Sequence, residues 1–225
     1  MSRTHYKVVA AVVLFILALP LFGQNQITGQ LSAVKGNVSL IRDQGQPVLL
    51  HASDKVHSGD AILTDSKSSA TMRLPDGSTV RIYPMSHVEV RSESGDWKEF
   101  LHVVLGNVRF QIEKLSGRPN PKVVTTPTAI IAVRGTIFAV AVKQNGDTQV
   151  GLQQGLVAVA SLLQPEQQLL VRPGQELWVR QGEGPTQPHR MHRPMPGLAA
   201  PGSSGFGMRG PSGAKHPMTT GRHGP

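Results

Sequence analysis

Apolar residues in this chain recur in short runs with a period of two, and helical periodicity is weak throughout. Ala70, Met72 and Leu74 alternate with Thr71 and Arg73, and Val80 and Ile82 flank Arg81. Between them, Pro75-Asp76-Gly77 suits a type I turn with glycine in the left-handed region, so residues 70–82 are expected to form a β-hairpin. Val88 and Val90 alternate with His87, Glu89 and Arg91, and Val108, Phe110 and Ile112 alternate with Arg109 and Gln111. Asn145-Gly146 is a second strong turn signal, joining residues 137–142 to residues 148–152. Residues 33–41, 48–50, 156–160, 169–171 and 177–179 complete the expected strands. The pattern predicts an all-β fold, a single antiparallel β-sandwich or roll over residues 30–181, and a short solenoid-like stack satisfies it as well.

The longest apolar run covers residues 124–142 and is broken by Pro127 and by Arg134-Gly135-Thr136. A strand apolar on both faces is usually buried on both, so this run is expected at the centre of the core. An arginine there is costly unless it is hydrogen-bonded, and a glycine there serves a bend or a close backbone approach. Arg134 has two readings. Structurally, it is a buried fork that satisfies backbone carbonyls or an internal acid such as Asp60 or Asp76; functionally, it recognises a partner's carboxylate. The structural reading is preferred, with Gly135 supplying the bend and Thr136 a local hydrogen bond. Asp76 and Gly77 are read as turn chemistry. A faint echo links Gly36-Asn-Val, Gly106-Asn-Val and Gly155-Leu-Val, each opening a strand; two halves on one plan and chance similarity both account for it.

Both ends depart from this pattern. Arg3, His5 and Lys7 precede an apolar run from Val8 to Leu19 closed by Pro20, which reads as a Sec-type signal peptide over residues 1–23, cleaved near Gly23 or Gln24. A retained anchor is the rival reading; cleavage leaves no stable membrane insertion, and a periplasmic or secreted location follows. From about residue 183, Gly, Pro, Ser, His and Arg dominate, so residues 183–225 are expected to be disordered, with too little apolar surface to offset ordering entropy. The formal charge of +9 lies partly in this tail.

Little in the chain points to catalysis. There are no cysteines, hence neither disulfides nor thiol chemistry. The acids Asp54, Asp60, Asp65 and Asp76 lack calcium-loop spacing, and His51, His57, His87 and His102 lack metal-ligand spacing. No Gly-x-Ser-x-Gly elbow surrounds Ser66, Ser68 or Ser69. His189, Met191, His192 and Met195, with further His and Met beyond, allow weak copper or nickel capture, but an incidental low-complexity tail is preferred. The expectation is no cofactor and no metal. Aromatics are 4% of the chain and the body has no dense basic cluster, which argues against nucleic acid.

The ordered series Gly36-Asn-Val, Gly59-Asp60 with Thr64, Leu74-Pro-Asp-Gly-Ser, Gly106-Asn-Val, Thr126-Pro127-Thr-Ala129, Val133-Arg-Gly-Thr-Ile-Phe138, Gly155-Leu-Val and Pro173-Gly-Gln175 resembles the FecR domain. The resemblance implies an exported, non-catalytic all-β module. In the best-known members it is the envelope-side part of a regulator that relays a signal from an outer-membrane receptor to a sigma factor. Here only seven residues precede the apolar run, and neither sigma-binding helices nor a small C-terminal receptor-facing domain is evident. The function expected is therefore an envelope binding or scaffolding module that engages a protein or an anionic envelope polymer through a strand edge or sheet face. Signal relay through a separate membrane partner is the alternative, and polysaccharide hydrolysis has the least support.

Overall fold

The computed structural model describes residues 27–91 and 99–198. In chain order the strands are β1 (Ile27–Lys35), β2 (Val38–Ile41), β3 (Val48–Leu49), β4 (Lys55–His57), β5 (Ala61–Thr64), β6 (Ser69–Arg73), β7 (Thr79–Ile82), β8 (Ser86–Val90), β9 (Glu99–Gln111), β10 (Pro121–Thr125), β11 (Ala129–Arg134), β12 (Ile137–Val142), β13 (Thr148–Gln154), β14 (Val157–Ser161), β15 (Gln164–Val171), β16 (Gln175–Val179) and β17 (His189–Arg190). No helix occurs among the described residues.

The strands pair into two layers that share β9. Sheet I runs β4-β1-β6-β7-β9-β12-β13-β16-β17. Sheet II runs β3-β2-β5-β8-β9-β10-β11-β14-β15. The first half of β9 pairs in sheet II, with Val103 opposite Val88, and its second half pairs in sheet I, with Phe110 opposite Phe138. The predicted all-β class holds, but the antiparallel label needs one correction. β9 and β10 are parallel, Val123 aligning with Glu99 and Thr125 with His102. The cause is the crossing itself: β9 leaves sheet II midway, so the chain cannot return by a hairpin and re-enters through residues 112–120 in the same direction.

Three glycines make such crossings possible. Gly36 (φ +72), Gly106 (φ +93) and Gly155 (φ +94) stand where the chain passes between sheets, at β1–β2, within β9 and at β13–β14. These are the echoed Gly-x-Val units. In the first two, the amide after the glycine donates to a serine hydroxyl, Asn37 N to Ser68 Oγ at 2.8 Å and Asn107 N to Ser86 Oγ at 3.0 Å. At the third, Thr136 fills that place and turns its methyl toward Gly155.

The inward positions of both sheets form one core. At its centre Phe110 stacks on Phe138 with ring centroids 4.7 Å apart, and Phe100 meets Phe110 edge-on at 6.0 Å, tying sheet II to sheet I. Residues 124–142 are not one strand but parts of three, β10, β11 and β12. The polar interruptions are their corners. Thr126 at the first corner is fully buried, its hydroxyl 2.8 Å from Thr148 Oγ1. Thr128 Oγ1 also donates to Thr148 Oγ1 at 2.8 Å, so the Thr-Pro-Thr corner is fastened to the Asn145-Gly146 hairpin.

The stretch expected to lack fixed structure from residue 183 is, as far as residue 198, part of the folded body. β17 extends sheet I beyond β16, and Met191, Met195 and Leu198 lie on Ile137, Ala139 and Ala141. Three apolar side chains in sixteen residues are sparse on average but coincide on one apolar stripe. The signal peptide assigned to residues 1–23 and the tail from residue 199 lie outside the described residues.

Candidate functional site

Among the described residues β15 is the outer strand of sheet II, paired with β14 alone, and its residues are mostly exposed. Beside it the outer face of the sheet carries two cross-strand rows. The first is Glu99–Val123–Ala132–Ala158–Leu170 and the second His102–Thr125–Ile130–Ala160. Alanines at 132, 158 and 160 leave a shallow hollow of about 510 Å³, bounded by Val123, Ile130, Leu162 and Pro165. Leu162 at its rim is 45% exposed, and Leu163 beside it in sequence and Leu170, opposite Ala158 on β15, are 68% and 49% exposed.

The other end of the hollow is polar. Thr125 Oγ1 donates to Glu99 Oε1 at 2.6 Å and lies 2.7 Å from His102 Nδ1. Because the threonine proton points to the glutamate, the contact with His102 requires the Nδ1–H tautomer. Burial, and next the charge of Arg91, lower the pKa of His102, against the opposing pull of Glu89 and Glu99. Arg91 reaches Glu89 at 2.7 Å and Glu99 at 3.9 Å. The carboxylate sits on the hydroxyl rather than on the imidazole, so Thr125 donates to Glu99 and His102 donates to Thr125. No group of three or more His, Cys, Asp or Glu suited to a metal occurs among the described residues.

The five residues singled out in sequence do not converge. Arg134 closes β11 opposite Pro121 and is exposed, with no hydrogen bond or ion pair to any described residue. The buried fork is therefore corrected. Val133 takes the inward position at the strand end, and the next side chain is turned to solvent. Asp60 is claimed instead by Arg42, through contacts of 2.7 and 2.8 Å, and by the His57 amide at 2.8 Å. Arg134→Ala should accordingly change stability by less than about 0.5 kcal/mol in urea unfolding. Gly135 (φ +88) turns the chain from β11 in sheet II to β12 in sheet I. Thr136 is buried, and its hydroxyl has no partner among the described residues, contrary to the local bond expected of it. Gly77 (φ +85) completes the turn as predicted, with Ser78 N donating to Asp76 Oδ1 at 2.9 Å.

Asp76 does more than turn the chain. Its other oxygen accepts from Asn120 Nδ2 at 2.7 Å and faces Lys122 Nζ at 3.2 Å, and the Lys122 side chain is only 4% exposed. The outer-face rows were missed as well. Part of their signal was present in residues 157–160, where alanine alternates with valine and leaves one face of the strand small and apolar.

With this geometry in hand, comparison with known proteins gives one family match: residues 60–158 match the family described as FecR protein. No curated protein matches the chain. Among solved structures, two crystal structures of a candidate anti-sigma factor from Parabacteroides distasonis are similar at 22% identity and a TM-score of 0.49. The match covers 58% of this chain and 59% of that chain.

Proposed function

We propose that this FecR-domain protein is an exported, non-enzymatic binding module whose partner adds an extended segment to β15 and seats apolar side chains in the Ala132–Ala158–Ala160 hollow. The observation that carries the reading is a comparison within the molecule. At the same end of the body, the edge strand β16 and the stripe at Ala139 are already closed by the chain's own β17 with Met191, Met195 and Leu198. β15 and its small-residue stripe have the same ingredients and no covering segment among the described residues. Strand addition draws affinity from main-chain hydrogen bonds and specificity from pockets for alternate side chains. Pro165 and Glu166 at the start of β15 oppose indiscriminate edge pairing, which leaves residues 167–170 as the docking length.

A leader over residues 1–23 would place this surface in the periplasm or outside the cell, where a protein partner in the envelope meets it. The FecR match supports a second, finer reading, in which that partner is a membrane component of a signal relay. Leu170→Asp tests the docking surface. Crosslinking in the native envelope should give a discrete adduct with the wild-type chain, lost in the variant, while thermal unfolding stays unchanged because Leu170 is half exposed. An adduct that survives the substitution contradicts the assignment.

A further inference from the structure

The opposite face presents a different chemistry. The strand segments that pair in sheet I carry Lys35, Lys55, Arg73, Arg81, Arg109 and Arg190 against one carboxylate, Glu176, since Glu99 lies on the part of β9 that pairs in sheet II. Glu176 is already engaged by Gln149 Nε2 at 2.7 Å and His189 Nε2 at 3.4 Å. Arg81 and Arg109 stand directly opposite each other on β7 and β9. Arg73 is their diagonal neighbour on β6, one side-chain step from the Thr71–Arg81 pair. All three alternate with buried residues and so point outward, and none makes an ion pair with any described residue. Like charges opposed across a sheet destabilise it, and a face that is merely solvated mixes signs.

The row also has a wall. The end of the C-terminal strap crosses beside it, where a Cβ on Gly197 (φ +85) would run into the Tyr83 hydroxyl and lie 2.9 Å from Arg109 Cδ. The strap thus bounds the guanidinium of Arg109 and the phenol of Tyr83 on one side, and Arg81 lies over the Tyr83 ring at 5.8 Å. The result is a notch with two opposed planar forks and a hydroxyl donor.

We infer that the Arg73–Arg81–Arg109 row, with Tyr83, binds the phosphate groups of an extended phosphate-bearing polymer. Guanidinium forks match phosphate oxygens in pairs, and a multiply charged anion removes the repulsion between Arg81 and Arg109. Cations spaced by one strand or one diagonal, about 5–8 Å, suit successive charges of a chain better than a single small ion. A lipid surface is disfavoured, because none of the exposed large apolar side chains among the described residues lies on sheet I and nothing there would enter a bilayer.

The test uses the full chain, titrated separately with soluble polyphosphate, inorganic phosphate and phosphatidylglycerol vesicles. Polyphosphate should bind with a steep loss of affinity as salt is raised, inorganic phosphate far more weakly, and vesicles no better than neutral ones. Arg81→Gln with Arg73→Gln should weaken polyphosphate binding by about tenfold or more, while the melting temperature holds or rises. Arg118→Gln with Arg134→Gln removes the same charge away from sheet I's basic face and should change affinity by less than about twofold. Equal losses in the two pairs would overturn the site, as would absent polyphosphate binding. Tighter, arginine-dependent attachment to vesicles would replace the polymer with a membrane. Arg109 is kept out of the variant because its side chain touches the strap, and none of these outcomes depends on docking at β15.

Discussion

Gly106→Ala should cost about 4 kcal/mol or prevent folding, the largest effect expected of any single methyl added to this chain. Two penalties coincide at that position. The backbone adopts φ +93, a conformation side chains rarely take. A Cβ there would also lie 2.5 Å from Ser86 Cα and 2.6 Å from the Met85 carbonyl oxygen, both backbone atoms of the β7–β8 connection. Neither can move aside alone, because Ser86 Oγ receives the Asn107 amide at 3.0 Å and Thr64 Oγ1 receives the Ser86 amide at 3.0 Å. Gly59→Ala is the matched control. Its φ is +91, but nothing lies within 4 Å of the added carbon, so the cost should fall to about 1 kcal/mol. Urea unfolding of the two variants separates backbone strain from the crossing; equal midpoints would mean that β9 tolerates relaxation at its pivot.

Asp76→Ala should lower stability by about 3 kcal/mol, far more than the loss of a turn residue. The turn accounts for one hydrogen bond, to the Ser78 amide. The rest lies in what the carboxylate holds behind it. Asn120 bridges Asp76 at 2.7 Å and the Glu113 carbonyl at 3.1 Å, fixing the crossover between β9 and β10. The Lys122 ammonium is buried at 3.2 Å from the same carboxylate and lies 5.1 Å from the centre of the Phe100 ring. Removing the anion takes away one of the partners that hold this cation in a low-dielectric site. Burial alone would raise the pKa of Asp76, but the Asn120 and Ser78 hydrogen bonds and the charge of Lys122 outweigh it and hold the value below the ordinary carboxylate range. With a depressed native value, the unfolded chain binds more protons between the two, so the contribution is complete above the ordinary carboxylate range and is lost as pH falls through the native value. Asp76→Asn keeps the turn cap without the charge. It should recover part of the loss at neutral pH and flatten the acid limb of the stability curve. An Asn variant with an unchanged acid limb would place the acid sensitivity elsewhere.

Much of the fold was legible because its outer strands obey simple alternation. The hairpin at residues 70–82, the Asn145-Gly146 turn and the strand around Phe110 follow from period two and turn chemistry alone. What period two does not encode is which of two stacked sheets a strand joins. Glu99 to Gln111 reads as one strand, yet Gly106 hands it from one layer to the other, and the parallel partner β10 follows from that transfer. Arg134 misled for a related reason. Within an apolar run it looked enclosed, but it ends β11 at a corner, and corners face solvent. Asp76 was recognised only locally, since Asn120 and Lys122 are more than forty residues away along the chain. The open face beside β15 was hidden by its own composition, because alanine alternating with valine in residues 157–160 resembles ordinary core.

The account depends most on β15 being an open edge that a partner completes. Amide hydrogen exchange across residues 164–171, for the purified protein and for the same protein bound in its native envelope, examines this directly. The amides of residues 167–170 that point away from β14 should exchange rapidly in the free protein and become protected on binding, together with the apolar rows at Ile130 and Ala158. If binding protects only sheet I, or if those amides are already protected in the isolated monomer, the edge is not where the partner docks.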